Sequence, residues 1–420
     1  MSFETISVVG LGYIGLPTAA MFASRKKKVI GVDVNQHAVD TINQGKIHIV
    51  EPDLDMIVQA AVTEGYLKAT TTPEPADAFL IAVPTPFLPC EEGEVPAPDL
   101  SYIEAASKAI APVLKKGDLV ILESTSPVGA TEQMAAWLAE ARLDLTFPQT
   151  HGDNADVNVA HCPERVLPGH VVRELVENDR VIGGMSTRCS ERSVELYKTF
   201  VLGECVVTNA RTAEMAKLTE NSSRDVQIAF ANELSIICDK LDINVWELIA
   251  LANRHPRVNI LQPGPGVGGH CIAVDPWFIV SKTPEEAQII HTARKVNDGK
   301  PEWVINKVKL AIVDFLQANP NKTAREVTVA CYGLAFKPDI DDLRESPALA
   351  ITRKIAEMHT GRVIAVEPNI IRLPQCIGCV ELVDLEFARK EADINVVLVA
   401  HQNFVNRIEV KENWLNMTSL

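Results

Sequence analysis

Hydrophobic residues cluster in short runs along the first half of the chain. ISVVG at 6–10, KVIGVDV at 28–34, AFLIAVPTP at 78–86, DLVILESTSPVG at 118–129 and VNVAHCPERVLPG at 157–169 are dominated by apolar residues, and most end in a glycine-, proline- or polar-rich turn. Such runs predict strands, and the helical stretches between them predict a strand–helix alternation. From about 210 to 315 the strand signal stops. TAEMAKLTENSSRDVQIAFANELSIICDKLDINVWELIALA has apolar residues at helical spacing and no proline, so long helices are expected, with apolar faces that also suit a dimer interface. Alternation resumes in REVTVACYGLAFKPDIDDLRESPALAITRKIAEM, GRVIAVEPN and INVVLVA, whereas the closing RIEVKENWLNMTSL carries no strand pattern. The expected fold is α/β: two Rossmann-like doubly wound domains joined by a central helical segment, with bounds at 1–209, 210–318 and 319–420.

Length and charge narrow the choices. The 420 residues fit two or three domains, and 47% hydrophobic with 23% charged residues is an ordinary globular composition. A formal charge of −15 argues against a general nucleic-acid or anionic-membrane surface, so an anionic ligand must be held by local positive charge. The opening MSFETISVVGLGYIGLP has neither a basic region nor a small-residue cleavage site, and no apolar stretch approaches the roughly 18 residues of a membrane span. A cytoplasmic protein is expected. Nine scattered cysteines suit a reducing compartment. Cys376 and Cys379 have CxxC spacing without the second pair a zinc site needs, so they read as two ordinary thiols and no metal is expected.

The first turn carries the most specific pattern. Gly10, Gly12 and Gly15 form G-x-G-x-x-G after a strand and before a helix, with Tyr13 and Ile14 in the turn and Asp33 closing the second strand, 18 residues past Gly15. In that context the glycines admit a pyrophosphate to the helix N-terminus, and Asp33 accepts from the ribose hydroxyls. Its charge repels a 2′-phosphate, so NAD is the expected cofactor. Thr85, Thr125 and Thr131 stand at strand ends or early helix turns, suited either to helix capping or to contact with nicotinamide, ribose or a water. The second alternating unit lacks the glycine pattern, which leaves room there for a different nucleotide-like ligand.

A second concentration of chemistry lies in GPGVGGHCIAVD at 264–275. Structural cysteines sit among packed side chains, but Cys271 lies in a bare glycine loop leading to a helix whose dipole favours thiolate, with Asp275 one turn on. Beside a nicotinamide cofactor, a thiolate can attack an aldehyde to form a thiohemiacetal, which then becomes a thioester; an inert thiol is the plain alternative. Lys217 and Asn221 are four apart on one helix, with Arg224 near the same face. Glu164 follows a proline at a strand end, suited to activating a water or to pairing with Arg165. His255 and Arg257 form a basic loop cluster fit for anion binding or for ending a helix. Lys337 and Arg344 in FKPDIDDLRESP are suited to phosphate charge.

GLGYIGLP, VPTP, ESTSPVG, the Lys217/Asn221 pair, GPGVGGHCIAVD and FKPDIDDLRESP occur in this order over almost the whole chain, and together they resemble the nucleotide-sugar 6-dehydrogenase family. The resemblance implies a four-electron oxidation of a sugar C6 hydroxyl to carboxylate with two NAD reduced. It implies Cys271 as nucleophile, Lys217 as acid–base and oxyanion group, Asn221 and Asp275 as assistants, and Thr125 and Glu164 at the water. It also implies a UDP-sugar held by the second Rossmann-like domain. Arg165, Val166, Lys217, Asn221, Arg224, His255, Arg257, Gly268, Phe336 and Lys337 would contact the substrate, and Arg344 would approach NAD. Basic contacts from NRHPRVN would cross a dimer interface. UDP-glucose members carry a second glutamate after their P-E, where this chain has PERVLPG with Pro168. That departure resembles the UDP-N-acetylhexosamine branch, and overall similarity favours the manno epimer, whose uronate serves surface polysaccharide such as enterobacterial common antigen. Two rivals remain: a two-electron β-hydroxyacid dehydrogenase, which has no use for the cysteine loop or a third domain, and a non-catalytic NAD-binding sensor.

Overall fold

The computed structural model describes residues 3–49, 51–91, 93–166, 169–269, 271–405, 407–408 and 414–418. The chain divides into two compact units, Met1–Glu220 and Asn221–Leu420. The helix Ala210–Lys240 carries the chain from one to the other.

The first unit is built on eight strands: β1 (Thr5–Val9), β2 (Lys28–Val32), β3 (Leu67–Thr70), β4 (Ala78–Ile81), β5 (Leu119–Leu122), β6 (Asn158–His161), β7 (Arg180–Gly184) and β8 (Cys205–Asn209). Their order is β3-β2-β1-β4-β5-β6-β7-β8, parallel throughout except for the antiparallel β6/β7 pair. The first six strands follow the doubly wound dinucleotide order, whose direction reverses between β1 and β4. Burial on both faces explains why these strands read as runs rather than alternations. Val8, Leu80 and Ile121 pack into one core with Leu16 and Phe22, while their neighbours Val9, Phe79, Ile81 and Val120 pack into another with Ile103 and Met134.

β7 and β8 were not foreseen from RVIGG and CVVTN. β8 lies at the sheet edge with Val206 and Val207 exposed, so it lacks the burial signature that marks the other strands.

The second unit holds a five-stranded parallel sheet in the order β11-β10-β9-β12-β13, with β9 (Val329–Tyr332), β10 (Val363–Val366), β11 (Glu381–Leu382), β12 (Ile394–Val397) and β13 (Trp414–Asn416). Helices Val245–Ala252, Asp275–Lys282, Gln288–Ala318, Pro347–Met358 and Leu385–Glu391 complete it. β13 corrects the expectation of no strand at the C-terminus. It pairs Trp414, Leu415 and Asn416 with Asn395, Val396 and Val397, and three residues are too few to show a period. Among the described residues no helix is long and apolar enough to cross a membrane.

Candidate active site

The first turn is shaped for close approach to its backbone. Gly10 has φ +90°, and a Cβ there would sit 2.5 Å from the Ala82 carbonyl oxygen. A Cβ on Gly15 would lie 1.7 Å from the Gly10 oxygen, so the third glycine is required by the turn itself. At Gly12 a Cβ would meet nothing within 4 Å. That open space lies where the helix Gly15–Ser24 begins, with Tyr13 exposed and Ile14 half-buried beside it. Asp33 just past β2 braces the turn: Oδ2 accepts the Leu11 N–H at 2.8 Å and Oδ1 accepts the Asn35 N–H at 2.9 Å. The Thr85 hydroxyl, after β4, is buried with no partner among the described residues. An open glycine cradle, an acid at the second strand end and an orphaned hydroxyl fit a dinucleotide's pyrophosphate, ribose and polar ring substituent.

Thr131, expected either to cap a helix or to contact the cofactor, turns inward. It is fully buried, and its hydroxyl donates to Glu214 Oε1 at 2.6 Å, while the Gly129 and Thr131 N–H groups donate to the same carboxylate at 2.7 and 2.8 Å. Glu214 therefore caps the helix Ala130–Ala141 from within, its carboxyl pushed up by burial and drawn back by these donors. Thr125 is half-buried in the turn after β5, between Ser124 and Ser126, which turn inward.

Glu164 is 8% exposed, and its partner is not Arg165. Oε1 accepts the Arg165 backbone N–H at 2.7 Å, but Oε2 pairs with Arg180 Nη2 at 2.5 Å. The Arg165 guanidinium pairs instead with Glu220, at 2.7 Å from Nη2 to Oε1. Val166 packs against the first core, and Pro168 lies outside the described residues. Arg180 also faces Glu123, whose carboxyl is pushed up to about 7 by burial against the pull of that guanidinium.

Cys271, in the second unit, is exposed, whereas Cys162 and Cys189 of the first unit and Cys238 and Cys331 of the second are buried. Burial pushes the Cys162 and Cys331 thiols up to about 12, which makes them inert. The Cys271 carbonyl accepts the Val274 and Asp275 N–H groups at 3.1 and 2.9 Å, a single turn leading into the helix Asp275–Lys282. His270 lies outside the described residues. Asp275, 3% exposed, accepts from Asn221 Nδ2 at 2.5 Å, and Lys217 stands one turn earlier on the Asn221 helix, half-buried.

Packing explains the glycines of the cysteine loop. A Cβ on Gly268 would lie 2.4 Å from the Glu345 carbonyl oxygen and 2.7 Å from Pro347 Cδ. Gly269 has φ +82°, and its Cβ would meet the Phe336 ring at 3.2 Å. The loop thus runs against the turn after β9 that carries Phe336 and Lys337, both half-buried. Arg344 is exposed and grips Asp342 of the same turn, 2.6 Å from Nη2 to Oδ2. Arg224, His255 and Arg257 face solvent, and the Arg257 N–H donates to His255 Nδ1 at 3.3 Å.

Sequence reasoning missed several supports. Asn232 Oδ1 accepts the Gly264 N–H at 2.9 Å and so holds the start of the cysteine loop. Glu367 does for the second sheet what Asp33 does for the first, accepting the Leu334 N–H at 2.7 Å, and lies 3.0 Å from His401 Nε2. Arg180 opens an apolar strand, and only the pairing of that strand reveals its role. Their one signal was a polar residue inside an apolar run.

The chain was compared with known proteins. Models of the UDP-glucose/GDP-mannose dehydrogenase family match at residues 4–201 (NAD binding domain), 211–299 (central domain) and 330–417 (UDP binding domain). A UDP-N-acetyl-D-mannosamine dehydrogenase of Yersinia pestis is 68% identical over 418 residues, covering 99% of this chain and 98% of that one. An NDP-N-acetyl-D-galactosaminuronic acid dehydrogenase of Ralstonia solanacearum is 66% identical over 404 residues, covering 96% and 92%. The solved UDP-N-acetyl-mannosamine dehydrogenase of Staphylococcus aureus superposes with a TM-score of 0.82 at 39% identity, covering 98% of both chains.

Proposed function

The chain belongs to the UDP-glucose/GDP-mannose dehydrogenase family, NAD-dependent oxidoreductases of nucleotide sugars, and on that premise we propose that it oxidises UDP-N-acetyl-D-mannosamine at C6 to UDP-N-acetyl-D-mannosaminuronate. The exposed Cys271, in a loop made of glycine because it passes tightly against the Phe336–Pro347 segment, carries the reading. Gly10, Gly12, Gly15, Asp33 and Thr85 hold NAD, which when bound supplies the hydride acceptor. Lys217 takes the proton of the C6 hydroxyl and steadies the oxyanion, with Asn221 and Asp275 fixing the helix turn around it. The Cys271 thiolate adds to the C6 aldehyde to give a thiohemiacetal, and loss of a second hydride leaves a thioester. Thr125 and Glu164 orient the water that releases the carboxylate and restores the thiol. In sum, one alcohol, two NAD and one water become one carboxylate, two NADH and three protons.

Lys337 and Phe336 on the second sheet, with Arg165, Val166, Arg224, His255, Arg257 and Gly268, are proposed to hold the UDP-sugar, and Arg344 to reach NAD. Similarity to the Yersinia and Staphylococcus enzymes favours the manno sugar, and the product suits surface polysaccharide synthesis in the cytoplasm, enterobacterial common antigen in particular. The Ralstonia relative, at nearly equal identity, favours a galacto sugar as a second reading. Phe230, Ile237 and Leu241 are 51, 43 and 60% exposed on one stripe of the helix Ala210–Lys240 and its end, and we assign this stripe to pairing with a second copy.

The test is NADH yield with limiting UDP-N-acetylmannosamine beside its gluco and galacto stereoisomers. Two NADH per manno sugar, with little from the others, is expected. One NADH would overturn the thioester route, and two from another sugar would correct only the substrate.

A further inference from the structure

The first sheet contains one antiparallel contact, and it falls beside Glu164. β6 and β7 pair Ala160 with Gly184 and His161 with Gly183. Continued along both chains, that register sets position 164 opposite position 180. A parallel β7 would have placed its first residue at the far end of the sheet. Arg180 therefore starts β7 where its guanidinium meets Glu164 Oε2 at 2.5 Å. It is 4% exposed and walled in on every side. Glu123 Oε1 lies 3.5 Å from Nη1, Cys162 Sγ lies 3.7 Å from Nη1, and the guanidinium carbon sits 4.5 Å above the Tyr197 ring. The Tyr197 hydroxyl donates to Glu123 Oε1 at 2.6 Å, and Glu123 Oε2 has no partner among the described residues.

One buried cation thus holds two buried carboxylates, each just past the carboxyl end of its strand where ligands of such sheets bind, and Glu164, 8% exposed against 1% for Glu123, is the one nearer solvent. Glu123 directly follows β5, two residues before Thr125, so the cluster joins the two strand ends that carry the groups assigned to the hydrolytic water. Glu164 receives one donor on each oxygen, which fixes the carboxylate plane and leaves the remaining lone pairs to accept from a water. We propose that Arg180, braced by Glu123 and Tyr197, is a positioning residue for thioester hydrolysis: it aims Glu164, and its loss stalls the second half of the reaction but not the first. The proposal rests on the reading that Glu164 orients the water.

The experiment uses the full-length enzyme with NAD and UDP-N-acetylmannosamine, reading pre-steady-state NADH and the intact mass of the quenched protein. Arg180→Gln is expected to release two NADH per site in a burst and then turn over ~100-fold more slowly, within the range of a lost acid–base contribution. Protein quenched in that phase should carry the uronyl group on Cys271. Arg180→Lys, which keeps one charged donor, should restore part of the rate. A burst and steady state that fall together, with no adduct, would overturn the proposal, as would turnover equal to the parent's. Should Arg180→Gln not fold, Glu123→Gln keeps the Arg180–Glu164 pair and removes its brace. It should show the same adduct with a milder slowing, and parent-like hydrolysis in that variant would again overturn the proposal. Glu164→Gln separates the two layers. Absence of adduct there defeats the premise about Glu164, whereas adduct there but not in the Arg180 variants defeats only the role of Arg180.

Discussion

Asp33 shows how one side chain can serve a turn and a ligand at once. Each carboxylate oxygen accepts one backbone N–H, from Leu11 and from Asn35, and each retains a lone pair for a ribose hydroxyl. Asp33→Asn keeps the shape and one acceptor but removes the charge that repels a 2′-phosphate. The ratio of kcat/KM with NAD to that with NADP is expected to fall ~tenfold or more, a change of about 1.4 kcal/mol. An unchanged ratio would remove Asp33 from the ribose site. Its place beside the glycine turn was legible because the glycine spacing, the flanking strands and the acid after the second strand agree. Glu164 was legible only as a residue type in a promising place. Its neighbour Arg165 is adjacent in sequence, yet pairs with Glu220, while Arg180, sixteen residues on, supplies the charge.

At the scale of elements, the long helices of the second unit carry a buried polar seam that periodicity did not reveal. On the helix Gln288–Ala318, Arg294 meets Asp225 at 2.6 Å, Asn297 donates to Asp225 and accepts from Asn232, and Asn232 holds Gly264 at the start of the cysteine loop. Lys300, in the same seam, is 2% exposed, donates to Ser235 and lies 3.8 Å over the Trp303 ring. Burial lowers its ammonium to about 7, partly offset by Asp239. The unfolded chain binds this proton up to its ordinary value of 10.5, so between about 7 and 10.5 the unfolded state holds more protons. The contribution of Lys300 to stability is therefore fullest above that window and is lost as pH falls toward 7. Lys300→Met is expected to raise the melting temperature by about 5 °C near pH 7, with the gap narrowing as pH rises to 10. A calorimetric series in which the gap stays constant would show that burial of the charge is not the cause. Sequence spacing placed Lys300 on a helix, but a lysine at helical spacing reads as solvated until the facing helix is known.

On the scale of the whole molecule, the exposed stripe of Phe230, Ile237 and Leu241 is the largest unexplained apolar feature of the long helix. Assigned to a second copy, it predicts that Phe230→Asp with Ile237→Asp shifts sedimentation from a dimer or higher assembly to monomer at micromolar concentration. An unchanged mass would place the interface elsewhere. The fold class was legible because both sheets are buried on two faces, which leaves unmistakable apolar runs in β1, β4, β5, β9, β10 and β12. It was illegible at edges. β8 is exposed and β13 has three residues, so neither leaves a pattern that outweighs its surroundings. By itself the sequence determined what acts through local geometry: the nucleotide turn, the acid closing β2, the helical centre and the bare cysteine loop. Tertiary structure alone decided partnerships between residues far apart in the chain. It set Arg180 against Glu164 by running β7, and β8 with it, antiparallel to β6, drew Thr131 into the cap made by Glu214, and brought Gly268 against Glu345. The physical reason is that a buried charge or a tight backbone contact is defined by what faces it across the fold, and chain spacing carries no record of that neighbour.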